Sequence, residues 1–201
     1  MPLEQAKHLL IDAYDSVLKA YALIGYPTQT DENFRDTAER AAKAALEMVR
    51  PVGEIEREID ELLNNSYPAQ YDQMVVSKHN VCFGLCPHHL LPAIYRISVA
   101  YLPSDRVVGI SKLSRLIRLL CKRPVLQEDL THELSEILWS RLSSRGAGVH
   151  IEGMHLCMAA RGVFAHEARL VTSAMRGLFA EQSSIRQEFL NIVAAPPLGP
   201  L

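Results

Sequence analysis

Ala93-Ile94-Tyr95-Arg96-Ile97-Ser98-Val99-Ala100-Tyr101 alternates large apolar residues with small or polar ones over nine positions. That period of two, rich in β-branched and aromatic residues, predicts a strand with one buried face. Upstream, Met74 to Val81 predicts a second strand. Downstream, helical spacing takes over. Leu113, Leu116, Ile117 and Leu120 predict a helix over 111–122, and Leu130, Leu134, Leu138 and Leu142 predict another over 127–144, with Pro124 between them. Two further strands are expected at 147–152 and 154–161, and a last helix at 183–193. The order ββααββ is an α+β pattern, with helices on one face of an antiparallel sheet.

Ahead of that core the chain reads as helix. Leu3, Ala6, Leu10, Ala13, Val17, Tyr21 and Ile24 predict one over 3–24, stopped by Gly25 and Pro27. A second is expected over 32–49, ended by Pro51, and a short third carries Ile55, Ile59, Leu62 and Leu63. The expected organisation is a helical region over 1–65, a folded core over 66–193 and a flexible proline-rich tail over 194–201. With 201 residues, 48% of them apolar, the chain can bury one substantial core. A formal charge of -2 gives no electrostatic reason to bind nucleic acid or an acidic membrane. No apolar run is long enough for a membrane span, and the opening residues lack a secretory signal pattern, so the protein is expected in the cytoplasm.

Cysteines stand at 82, 86, 121 and 157. In a reducing compartment, cysteine and histidine clusters point to metal rather than disulfides. Cys86-Pro87-His88-His89 and His155-Leu156-Cys157 form two such clusters. Zinc takes thiolate and imidazole ligands, and a catalytic zinc keeps one position for water. Adjacent histidines do not easily reach one centre, so the smallest set is Cys86, His89 and Cys157, with His88 turned elsewhere. On a strand, His155 and Cys157 would share a face. A closed site using both thiols and two histidines fits the same residues. Cys82 and Cys121 lack nearby histidines and read as buried structural thiols.

Gly109-Ile110-Ser111-Lys112-Leu113-Ser114-Arg115 opens a helix, with Lys112 and Arg115 on one face of its first turn. Cations there oppose the helix dipole, and a bound polyanion would relieve them; a solvated basic face is the alternative. Arg161, just past the Cys157 strand, is a further basic candidate, and so is Arg40 on the second helix, although most helical arginines are surface residues. Gln127-Glu128 starts the next helix, where a carboxylate suits the dipole or accepts hydrogen bonds from a guanine edge.

These motifs, in this order, resemble GTP cyclohydrolase I. The resemblance covers about 36–193 and rests on Cys-x-His-His at 86–89, Gly-Ile-Ser-Lys-x-x-Arg at 109–115 and Arg-Pro-x-x-Gln-Glu at 123–128. It continues in His-x-Cys with a following Arg-Gly at 155–162, Thr-x-x-Arg at 37–40 and Arg-x-Glu-Phe-Leu at 186–190. It implies a tunnelling fold and a homo-oligomer, usually a decamer of two pentamers, with sites at subunit interfaces. It implies one Zn2+ per subunit on Cys86, His89 and Cys157, activating a water towards C8 of guanine. His88 would protonate N7, His155 would act on the opening ribose, and Ser111 would assist. Gln127 and Glu128 would recognise guanine, while Lys112, Arg115, Arg161 and Arg40 would hold the triphosphate. The implied reaction turns GTP and water into formate and 7,8-dihydroneopterin triphosphate, the first step towards folates and pterins, in an allosteric enzyme. Three departures stand out: Pro87 replaces the family's usual glutamate, Ala93-Ile94-Tyr95 lacks the usual glycine, and Arg176 precedes Gly177. They keep open a divergent, weak or inactive paralogue that binds GTP or a pterin as a regulatory subunit.

Overall fold

The structure is a computed structural model that describes residues 2–196. Most of the expected tail, from 197 on, lies outside them. The chain divides into two compact units, 1–51 and 52–201.

The first unit is helical. Helix α1 (Pro2–Leu23) packs with α2 (Thr37–Met48), and a short turn of helix, Glu32–Phe34, precedes α2. Thr28 ties the connection down by donating its hydroxyl to Leu18 O at 2.6 Å. Arg40 bonds Thr37 Oγ1 at 3.0 Å and Asn33 O at 3.5 Å.

The second unit begins with α3 (Val52–Asn64), whose Ile55 and Ile59 enter its main core, so this helix belongs to the sheet unit. Strand β1 (Ser66–Pro68) pairs with β4 (Arg106–Val108) as a small antiparallel ribbon. The main sheet is antiparallel. It holds β2 (Val75–Leu85), β3 (Pro92–Leu102), β5 (Gly146–His155) and β6 (Leu170–Gly177) in the order β2-β3-β5-β6. The two helices α4 (Ile110–Cys121) and α5 (Gln127–Glu136) lie between the hairpins, giving the expected ββααββ order.

Alternation in β3 does what the sequence predicts. Ala93, Tyr95, Ile97, Val99 and Tyr101 are fully or almost fully buried in the core with Leu116, Ile117 and Leu120 of α4 and Leu130 and Leu134 of α5. On the opposite face, Ala100 and Leu102 meet Phe179 of α7 (Leu178–Glu181) and Phe189 of α8 (Ser183–Ala194) at one end. A bulge in β2 between Ser77 and Asn80 turns Lys78 and His79 towards the end of α8, where Lys78 Nζ donates to Ile192 O at 3.2 Å. A lysine at a helix C-terminus satisfies carbonyls left without partners.

Three expectations change. The strand expected at 154–161 is absent: β5 runs to His155, and Leu156–Ala159 forms a helical turn, α6. The β3 ladder ends at Ala93↔His155, next to Pro92, which has no N–H to extend it. The fourth strand is instead β6, an edge strand whose Leu-Val-Thr-Ser-Ala-Met lacks strict alternation. The helix expected over 127–144 is regular only to Glu136 and continues as a wider turn over Ile137–Arg141.

Candidate metal centre

The β2–β3 hairpin places the first cluster. Cys86 N bonds Leu91 O and Leu90 N bonds Cys86 O, both at 2.9 Å, so residues 86–90 make one helix-like turn. Positions three apart in such a turn share a face. Cys86 and His89 therefore face together, and Cys86 Sγ lies 3.9 Å from His89 Nδ1. His88 points elsewhere and is exposed, its ring 6.3 Å from that of His89. Pro87 takes the first place of the turn, where a preset φ helps and no N–H is needed.

The second cluster arrives from β5 and α6. Cys157 Sγ lies 3.7 Å from Cys86 Sγ, and the three ligand atoms of Cys86, His89 and Cys157 lie within 4.8 Å of one another. These donors fit zinc. Metal–sulfur bonds of about 2.3 Å and a metal–nitrogen bond of about 2.0 Å at tetrahedral angles separate sulfurs by about 3.8 Å and sulfur from nitrogen by about 3.5 Å. Among the described residues no fourth His, Cys, Asp or Glu joins the group. Burial, then the neighbouring Cys86, pushes the Cys157 thiol up, while Arg161 opposes the shift.

His155 ends β5, and Cys157, two residues on, follows it on a helical turn rather than on the expected strand. Its Nε2 lies 3.0 Å from Gln127 Oε1. The Gln127 amide nitrogen donates to Ile151 O at 3.2 Å, Leu170 O at 3.0 Å and Thr172 Oγ1 at 3.1 Å, which fixes the amide's orientation. Gln127 Oε1 must then accept, so His155 carries its proton on Nε2 and offers a lone pair at Nδ1. Burial lowers the His155 pKa, against an opposing pull from the Glu128 carboxylate.

Gln127 thus differs from its expected place. Its side chain is 1% exposed and spent on β5, β6 and His155, so it orients the histidine instead of lying open to a ligand. Glu128 is exposed and lines an open groove of about 510 Å³ along β6, with Thr131, His132, Ser173 and Arg176.

Tyr95, in the stretch that lacks the family's usual glycine, packs against His155. It is fully buried, and its ring lies 5.8 Å from that of His155, edge to face. A Cβ on Gly84 would fall 2.5 Å from Tyr95 Cε2, and one on Gly153 would fall 3.1 Å from Tyr95 Cδ1 and 2.0 Å from Gln127 Oε1. Two glycines on the flanking strands therefore make room for the ring. Burial, then the nearby Cys121, Cys86, Glu128 and Cys157, pushes its pKa above the usual phenol range.

The basic group is elsewhere. Ser111, Lys112 and Arg115 open α4, and Lys112 Nζ donates to Asn65 O. Ser114 in the same turn bonds Asn80, six residues before Cys86 on β2. At about 3.3 Å per residue, that end of α4 is roughly 20 Å from the cluster of its own chain.

The family model for GTP cyclohydrolase I matches residues 15–194. The chain belongs to the GTP cyclohydrolase I family. GTP cyclohydrolase 1 of Chromohalobacter salexigens is 39% identical over 163 residues, covering 81% of this chain and 87% of that one. The Coxiella burnetii enzyme of the same name is 38% identical over 162 residues, with 81% and 87% covered. That of Drosophila melanogaster is 36% identical over 158 residues, 78% of this chain and 48% of that one. Among solved structures, the apo archaeosine synthase QueF-Like is similar over 54% of this chain and 97% of that one, at 17% identity and a TM-score of 0.44. Family membership agrees with the α+β tunnelling fold read from the sequence. No helix among the described residues is long and apolar enough to cross a membrane.

Proposed function

We propose that this chain is a zinc-dependent GTP cyclohydrolase I, converting GTP and water to formate and 7,8-dihydroneopterin triphosphate at the entry to folate and pterin synthesis. One observation carries the reading: the sulfurs of Cys86 and Cys157 and the His89 imidazole lie within 4.8 Å of one another in a chain of this family. When bound, zinc supplies an acidic, polarised water at the position that three protein ligands leave open.

The chain's own residues supply the rest. His88, exposed beside the cluster, gives a proton to guanine N7, which makes C8 electrophilic. His155, held by Gln127, moves protons at the ribose through Nδ1, with Ser111 assisting. Histidine suits both tasks because its ordinary pKa lies near operating pH. Glu128 accepts hydrogen bonds from guanine N1–H and the exocyclic amine. Lys112, Arg115, Arg161 and Arg40 hold the triphosphate. The span of roughly 20 Å between the start of α4 and Cys86 of the same chain supports a shared site, in which one subunit's Ser111, Lys112 and Arg115 serve another's metal. A decamer of two pentamers is the assembly we favour, in the cytoplasm, where four free thiols suit a reducing medium.

Zinc-loaded protein incubated with GTP tests the function. Formate and a product that fluoresces after oxidation are expected in equal amounts; GTP left intact would overturn the assignment.

A further inference from the structure

Helix α4 begins without the usual supports. Its N-cap is Gly109, which has no side chain to accept from the first N–H groups, and no acidic residue stands in its first turn. The cations Lys112 and Arg115 oppose the dipole at that end. A start of this kind depends on bonds from the rest of the fold. Lys112 Nζ donates to Asn65 O, and Ser114 Oγ donates to Asn80 Oδ1 at 2.7 Å.

Asn80 is built to take that second bond. It closes the bulge in β2, where His79, a non-glycine residue with a φ of 58°, adopts the left-handed conformation. Bulges and left-handed non-glycine residues gather beside functional sites. The Asn80 amide nitrogen donates to Ser77 O at 3.3 Å, Ser77 Oγ at 3.1 Å and Ile97 O at 3.2 Å. Two of these are carbonyls, which only accept, so the amide has one orientation and its oxygen faces α4. Ser114 is then the donor. A serine inside a helix commonly turns its hydroxyl back to the carbonyl four residues earlier, here that of Ile110. Ser114 points it at the sheet instead. Stabilising the bulge accounts for the bonds of the Asn80 nitrogen and leaves the bond of its oxygen unexplained.

We propose that Asn80 is a positioning residue for the triphosphate: through Ser114 it holds the first turns of α4, and with them Ser111, Lys112 and Arg115, against the sheet. It rests on the triphosphate reading above. The substrate's charge then meets cations whose helix is already in place, and the cost of ordering that helix does not fall on binding.

Ser114→Ala removes the hydroxyl, Ser114→Thr keeps it, and Asn80→Ala removes its acceptor. KM and kcat for GTP are measured on the zinc-loaded proteins, with Lys112→Ala beside them. Ser114→Ala should raise KM roughly threefold to tenfold, the weight of one hydrogen bond. Its kcat should stay within about twofold, because the triphosphate lies away from the reacting carbon. Its melting temperature should change little, since alanine is the better helix former. Ser114→Thr should keep the wild-type KM. In the Asn80→Ala background, Ser114→Ala should add nothing, the bond being gone already. An unchanged KM in Ser114→Ala, while Lys112→Ala raises it, would overturn the proposal, and so would effects that multiply in the double variant. A higher KM that comes only with a large fall in melting temperature would assign Asn80 to stability alone. An unchanged KM in Lys112→Ala, or wild type without turnover, would instead sink the reading on which this inference rests.

Discussion

Gly84→Ala is expected to destabilise this protein by about 2 kcal/mol, and only because Tyr95 is where it is. The added Cβ would lie 2.5 Å from Tyr95 Cε2, 3.3 Å from Cδ2 and 3.4 Å from Cζ. Carbon atoms pack at about 3.5 Å or more, so the ring would have to retreat by about 1 Å. It has nowhere to go: it is fully buried, and the Gly153 side has no room for a methyl group. Overpacking of this kind costs about 1–3 kcal/mol. Gly84 itself is ordinary extended backbone within β2, where alanine gains about 0.5–1 kcal/mol over glycine. The sign of the substitution should therefore reverse once the ring is removed. In a Tyr95→Ala background, Gly84→Ala should be neutral or stabilising by about 0.5 kcal/mol, giving a coupling of about 2–3 kcal/mol. Urea titration of the four proteins measures it. With a slope of about 2 kcal/mol/M, Gly84→Ala should lower the midpoint by about 1 M in wild type and leave it level or raised in Tyr95→Ala. Equal shifts in the two backgrounds would refute the reasoning.

Other outcomes follow from the same geometry. Gln127→Leu removes the acceptor that orients His155, so kcat should fall by at least about tenfold with KM for GTP little changed, as steady-state kinetics would show. His155 has its folded pKa held below the ordinary histidine value of about 6.5, so the folded state binds fewer protons than the unfolded state in that range. Acidification of the metal-free protein from about pH 6.5 should therefore cost stability, and His155→Asn should flatten that part of the urea-midpoint profile. If sites are shared, Cys157→Ser and Arg115→Ala proteins, each inactive alone, should recover activity when co-expressed; persistent inactivity of the mixture would argue for sites within one chain.

How much of this was legible in the sequence depends on the range of the contacts. The alternation from Ala93 to Tyr101 and the stripes of α4 and α5 are local, and they predicted the sheet and its helices. The Cys86/His89 pairing was also readable, because it is set within one five-residue turn. The sequence also groups Cys157 with them; its sulfur lies 3.7 Å from that of Cys86, but on a helical turn rather than the expected strand, because the ladder stops at Pro92 and the chain turns into α6. Strand β6 was not read, since an edge strand has only one ladder to satisfy and needs no strict alternation. The sequence names Gln127 and puts Tyr95 on an alternating strand, but not what each touches. Gln127 is held by carbonyls 24 and 43 residues away, and Tyr95 lies against glycines on two other strands. Contacts of that range leave no local signal.

The central claim is that a metal on Cys86, His89 and Cys157 directs water at the guanine C8. GTP carrying a carbon label at C8 tests it most directly, given to protein stripped of metal and then reloaded with zinc. Labelled formate should appear only after zinc is restored, and never with Cys157→Ser. Labelled formate from stripped protein, or none from reloaded protein, would contradict the account.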